Sequence, residues 1–113
     1  MVREMAIRVI QWATGGVGQA AIQAVAAHPE LELVGCWVHS ADKVGLDAGE
    51  IAGTGPLGVR ATQDVDQLLS MGADCVVYAP LMPDEALVCR MLTAGIDVVI
   101  NDLPPDIVHQ LEK

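Results

Sequence analysis

The chain has 113 residues, of which 52% are hydrophobic and 3% aromatic, with no phenylalanine. That length suits one domain whose core is filled by Val, Ile, Leu and Ala. A formal charge of -9 with only six Lys and Arg argues against nucleic acid and against an anionic membrane surface, because both need a basic face.

No apolar run approaches the roughly 18 residues of a membrane-spanning helix, and the N-terminus has no secretory pattern. Cys36, Cys75 and Cys89 each lie in an apolar run without metal-ligand spacing. They are expected as buried free thiols in a reducing, cytoplasmic compartment, and no metal site is expected.

In chain order, residues 8–13 form the first expected strand. A glycine loop follows, "ATGGVG" at 13–18. A helix over 16–27 shows small or apolar residues at Val17, Ala20, Ala21, Ala24 and Val25, a face at helical spacing. Pro29 stops it. Residues 31–39 form the second strand, with Val34, Cys36 and Val38 alternating against Gly35 and Trp37. Strand, helix and strand together have the length of one parallel crossover unit.

A Gly-rich stretch over 40–56 holds one short helix near 47–52. A weak strand over 59–62 comes next, then a short helix over 64–70 with Asp64 as N-cap and Gly72 closing it. "DCVVYAP" is a strand over 74–79. Pro83, Asp84 and Glu85 open the next helix, which ends at Gly95. "DVVIN", 97–101, is the fifth strand. The last two strands are continuously apolar, as strands covered on both faces are. Strand and helix alternate nearly throughout, which predicts an α/β doubly wound parallel sheet of about five strands. The domain is expected over 1–103, with a polar tail over 104–113.

The glycine loop is the candidate site. A dinucleotide fingerprint needs a tight turn, a position where pyrophosphate can approach the backbone, and a small residue where helix and strand pack. The phosphates then meet free N–H groups at the positive end of the helix. Two registers fit: Ala13-x-Gly15-x-x-Gly18 and Gly16-x-Gly18-x-x-Ala21. The first is preferred, because its first small residue ends the strand directly. Gly15 is then the close-approach position and Gly18 the packing position. Ala13 serves its place only with a negative φ. Thr14, Gly16 and Val17 complete the loop.

At the end of the second strand an acid would bind the ribose hydroxyl of NAD. The sequence reads "VHSADKVG" there, with no acid at His39 or Ser40. Ser40 and Lys43 can instead hold a 2′-phosphate, which favours NADP over NAD. Ala79 and Pro80, at the end of the 74–79 strand, suit the ribose and nicotinamide side. Trp12 and Trp37 read as core or interface residues, and His109 as a solvated tail residue.

With those residues placed, the chain resembles a known group. "VIQWATGGVGQAAIQAVAAHPELELVGCWVHSADKVGLDAGEIAG" and "DCVVYAP" are similar to the N-terminal domain of the 2,4-diaminopentanoate dehydrogenase and amine dehydrogenase group, itself similar to dihydrodipicolinate reductase in that domain. The resemblance covers about residues 7–100. Members usually carry glycine where Ala13 stands. The resemblance implies a Rossmann-like domain and a nicotinamide-dependent oxidoreductase acting on amines or imines by hydride transfer. It implies that Thr14 to Val17 line the pyrophosphate, His39 to Lys43 the adenosine ribose, and Ala79 and Pro80 the nicotinamide.

Members continue into a second domain that carries substrate pocket and catalytic groups. The stretch "NDLPPDIVHQLEK" does not resemble that continuation, so the expectation is a cofactor-binding domain inactive alone, with no catalytic residue of its own. A non-enzymatic nucleotide-binding module, a redox sensor or CoA-type domain, is the alternative, and a scaffold that binds nothing is the third reading. Open strand edges lead to an expected homodimer.

Overall fold

The computed structural model of the chain describes residues 6–80 and 84–100. Four parallel strands make one sheet: β1 (Ile7–Trp12), β2 (Leu31–Trp37), β3 (Cys75–Tyr78) and β4 (Asp97–Ile100), in the order β2-β1-β3-β4. The helices are α1 (Gly16–Ala27), α2 (Ala48–Ala52), α3 (Val65–Leu69) and α4 (Glu85–Thr93), with a 3-10 turn at Ala41–Lys43.

The chain enters at β1 and winds outward to β2 through α1. It then returns past β1 to β3 and winds the other way to β4 through α4. Two opposite windings from one starting strand put helices on both faces. Ile22 of α1 and Ala48 and Ala52 of α2 pack with Cys36 and Val38 on one face. Leu68 of α3 and Met91 of α4 pack with Ile10, Trp12, Val76 and Tyr78 on the other. The predicted doubly wound, Rossmann-like α/β class is therefore the observed one.

Differences from the expected elements have local causes. The segment 59–62 is not a strand. Thr62 makes one parallel bridge to Trp37, while Arg60 bridges Asp47 in the opposite sense. Asp47 explains the turn: its carboxylate accepts from the N–H groups of Gly49, Glu50, Leu57 and Gly58. That hub folds 57–58 back onto the start of α2 and holds the segment across the sheet edge.

The buried stripe of α1 is Gly18, Ile22 and Val25, whereas Val17, Ala20 and Ala24 are exposed. Alanines carry too little area to decide a face, so the larger Ile22 and Val25 do. Val34 does not share a face with Cys36 and Val38. The register passes from Val9↔Leu33 to Ile10↔Gly35, a bulge that leaves Val34 unpaired and packs it against the cluster of Ile10, Trp12 and Leu68 on the other face.

The strands β3 and β4 are not covered on both faces among the described residues. Val76 and Tyr78 are buried, but Cys75 and Val77 are half-buried, and Val99 and Ile100 are 48% and 42% exposed. Nor are all three thiols buried. Cys36 is buried, Cys75 half-buried and Cys89 exposed, because α4 turns Met91 inward instead. Burial pushes the Cys36 thiol up to about 11, against an opposing pull from Lys43.

Helices α2, α3 and α4 start on Asp47, Asp64 and Asp84, whose side chains accept first-turn N–H groups. The Asp84 N–H donates to the buried Tyr78 Oη at 2.7 Å, which ties α4 to β3. Pro83, Asn101, the expected boundary at 103, His109 and the tail lie outside the described residues.

Candidate functional site at the switch point

Beyond their carboxyl ends, β1, β2 and β3 are tied where the winding reverses. The Ala13 N–H donates to the Trp37 carbonyl at 2.8 Å, and the Ala79 N–H donates to the Trp12 carbonyl at 3.0 Å. In open parallel sheets this is where the crevice for a ligand forms.

Ala13 turns the chain with φ +82, the one non-glycine positive φ among the described residues. A negative φ is expected at Ala13 from the sequence, and the structure has a positive one. The turn is left-handed, and surrounding bonds hold the alanine in it. Its carbonyl accepts from Gln11 Nε2 at 3.0 Å. Gln11 is fully buried on β1, and its Oε1 has no partner among the described residues.

The helix meets the strand at Gly18. A Cβ there would overlap the Ala13 carbonyl oxygen, 2.9 Å from its carbon and 3.2 Å from Gln11 Nε2. Gly15 and Gly16 are the reverse. Both are exposed, and a Cβ on either would meet nothing within 4 Å. Gly15 is the N-cap of α1 in extended backbone, without a side-chain cap bond, and the first turn holds no acid. The first N–H groups of α1 therefore lack the carboxylate that caps every other described helix. Aligned N–H groups at a positive helix end suit an anion.

Thr14 is buried. Its carbonyl accepts from Gln19 Nε2 at 3.0 Å and from Lys43 Nζ at 3.3 Å, and its Oγ1 accepts from Lys43 Nζ at 3.0 Å. Lys43 ends the 3-10 turn after β2, so this contact joins the ends of β1 and β2. Ser40 heads that turn without a side-chain cap bond. His39 is exposed, its carbonyl accepting from Gln63 Nε2 at 2.9 Å. Trp12 and Trp37 stack with centroids 5.3 Å apart, and the His39 ring is tilted 6.2 Å from Trp37. Ala79 and Pro80 are half-buried at the end of β3.

The structure thus gathers Ala13, Thr14, Gly15, Gly16, Val17, Gly18 and Lys43 into one bonded cluster. His39 and Ser40 lie at one neighbouring strand end, Ala79 and Pro80 at the other. Sequence reasoning missed Gln11 and Gln19, which fasten Ala13 and Thr14. A lone glutamine inside the apolar run "RVIQWA" was the available signal for Gln11.

No group of His, Cys, Asp and Glu suited to a metal occurs among the described residues. None of the described helices is long and apolar enough to cross a membrane. Two open depressions flank the outer edge of β2, lined by residues such as Gly45, Asp47, Gly58 and Arg60. Asp47 is engaged by backbone N–H groups there, and Arg60 donates to the Gly45 carbonyl.

Known proteins resemble this chain in sequence and in fold. An amine dehydrogenase of Streptomyces virginiae is 43% identical over 110 residues, 92% of this chain and 31% of that protein. A 4-hydroxy-tetrahydrodipicolinate reductase of Synechococcus elongatus is 43% identical over 65 residues, 58% of this chain and 24% of that protein. The chain thus spans about a third or less of the curated relatives it matches. The amine dehydrogenase of Mycobacterium smegmatis superposes with TM-score 0.75 at 24% identity, over 88% of this chain and 31% of that one. A biliverdin reductase from Synechocystis, solved with biliverdin and NADP+, superposes with TM-score 0.53 at 18% identity, over 83% of this chain and 37% of that one. These two likenesses establish the fold. The family model for the N-terminus of dihydrodipicolinate reductase matches residues 7–82, a span from β1 past the end of β3, and the chain belongs to that family.

Proposed function

We propose that the chain is the NAD(P)-binding domain of an oxidoreductase that acts on amines or imines. One observation carries the reading: α1 starts uncapped at the switch point, with Gly15 open and Gly18 closed against Ala13. That is the division of labour a dinucleotide loop requires. It also favours the register Ala13-x-Gly15-x-x-Gly18. In the alternative register the close-approach place falls on Gly18, which packs against the strand and admits no ligand.

In this reading the N–H groups of Gly15, Gly16 and Val17 meet the pyrophosphate. Thr14 and Gly18 hold the loop, and Ala13 turns it. His39, Ser40 and Lys43 face the adenosine ribose. Lys43 and Ser40, with the first acid after β2 standing late at Asp42, favour NADP over NAD. Ala79 and Pro80 border the nicotinamide. The nicotinamide supplies hydride transfer when bound, and this chain's residues hold and orient it.

The amine dehydrogenase and reductase relatives support amine or imine chemistry. Because the chain aligns with only part of them, substrate pocket and catalytic groups are assigned to residues beyond the aligned part, and the domain alone is expected to be inactive. Open edge strands and the exposed Val99 and Ile100 of β4 support a homodimer. Free thiols support a reducing, cytoplasmic setting.

The test is calorimetric titration of the chain with NADPH and then NADH. Binding of both, NADPH more tightly, is expected. Binding of neither overturns the reading. Turnover of amines by the chain alone would overturn the expected inactivity.

A further inference from the structure

Lys43 has a capacity that its contacts do not use up. An ammonium has three N–H donors. Two acceptors engage it, the carbonyl and the Oγ1 of Thr14, and no third partner occurs among the described residues. Its charge is also unmatched there. The one ion pair among the described residues joins Arg90 and Asp66. Arg8 and Arg60 donate to the carbonyls of Met71 and Gly45.

Thr14 mirrors this state. Its Oγ1 accepts from Lys43, which leaves its own O–H as a donor with no acceptor among the described residues. A spare ammonium N–H and a spare hydroxyl hydrogen thus sit side by side, between the ends of β1 and β2. The side chains are already oriented by their mutual bond, and Thr14 is 4% exposed. In a chain of formal charge -9, this is where an anion gains both a fixed donor pair and an opposite charge.

Resting on the NAD(P) reading above, we infer that Thr14 and Lys43 form one coupled specificity unit. Lys43 keeps its bond to Thr14 while both spare donors take oxygens of a ribose 2′-phosphate. Thr14 is then a specificity-determining residue, although it lies in the loop assigned to the pyrophosphate. The coupling has a clear signature. Removing either partner loosens the other, so the two losses overlap instead of multiplying.

The experiment titrates NADPH and NADH into the parent chain, Thr14→Val, Thr14→Ser, Lys43→Met and the Thr14→Val/Lys43→Met double variant. Thr14→Val and Lys43→Met are each expected to weaken NADPH about tenfold, the scale of one lost charge-assisted hydrogen bond. NADH should lose less than NADPH, so that the preference ratio falls, as NADH lacks the phosphate those donors address. Thr14→Ser should restore the NADPH preference, and the double variant should be no worse than Lys43→Met. An equal loss of both nucleotides in Thr14→Val would make Thr14 only a support of the loop and overturn the inference. Losses that multiply in the double variant would overturn the coupling. A parent chain that binds neither nucleotide would fail the underlying reading, and this inference with it.

Discussion

Gly18 rests on the carbonyl of Ala13 so closely that a methyl group there would overlap its oxygen. This contact between the first turn of α1 and the end of β1 sets the angle at which the helix leaves the strand. It also fixes where the uncapped N–H groups point. Gly18→Ala must push the helix away from the strand. Overpacking of this kind costs about 1–3 kcal/mol, and urea denaturation should show it as a lower midpoint.

Ala13 makes the opposite prediction. Its φ of +82 places a Cβ where L-residues pay about 1–2 kcal/mol. Ala13→Gly removes that strain but frees the unfolded chain, which offsets about 0.4–1 kcal/mol. The net expectation is a gain of about 0.5–1 kcal/mol, read as a higher denaturation midpoint. A loss of stability would show that the turn is not strained.

Gly15 separates fold from binding. Its φ of -70 suits any residue, and a Cβ there meets nothing. Gly15→Val should therefore lower the melting temperature by no more than about 4–8 °C, the effect of about 1 kcal/mol for a weaker N-cap. It should cut NADPH affinity at least about tenfold, because the side chain stands where the pyrophosphate approaches. Unchanged affinity would reject the register Ala13-x-Gly15-x-x-Gly18.

Asp47 governs the acid side. The N–H of Leu57 does most to hold its carboxyl below the usual carboxylate range; desolvation opposes it next in size, and the N–H groups of Gly58, Gly49 and Glu50 add to the lowering. A group whose folded pKa is lowered adds stability above its unfolded value, near 4. That contribution is lost as pH falls through the lower folded value. Asp47→Asn should lower stability at neutral pH and flatten the profile in the acid range. Melting temperatures measured from pH 7 down to pH 3 check this. Parallel profiles for parent and variant would remove Asp47 from the account.

Most of the architecture was readable from local pattern. The extent of α1, the cap Asp64 and the parallel crossover unit followed from periodicity, capping and glycine placement, which act over a few residues; Asp84, read as a first-turn acid, is instead the cap of α4. The candidate loop was readable for the same reason, since a strand, small residues and a helix succeed one another directly. The bonds that fasten it were not. Gln11 and Lys43 act across the loop, and their roles depend on where β1 and β2 end relative to each other.

By itself, the sequence determined the α/β class, the order of the helices and of the four observed strands, and the position of the glycine loop, because these are set by spacing along the chain. Only the tertiary structure decided that Ala13 takes a left-handed turn, that Val34 leaves the alternation through a bulge, and that 59–62 meets β2 only through Thr62 instead of forming a strand. It also decided that Lys43 reaches back to Thr14. Each of these rests on a contact between residues distant in sequence or on a backbone angle imposed by neighbours, and no local pattern encodes either.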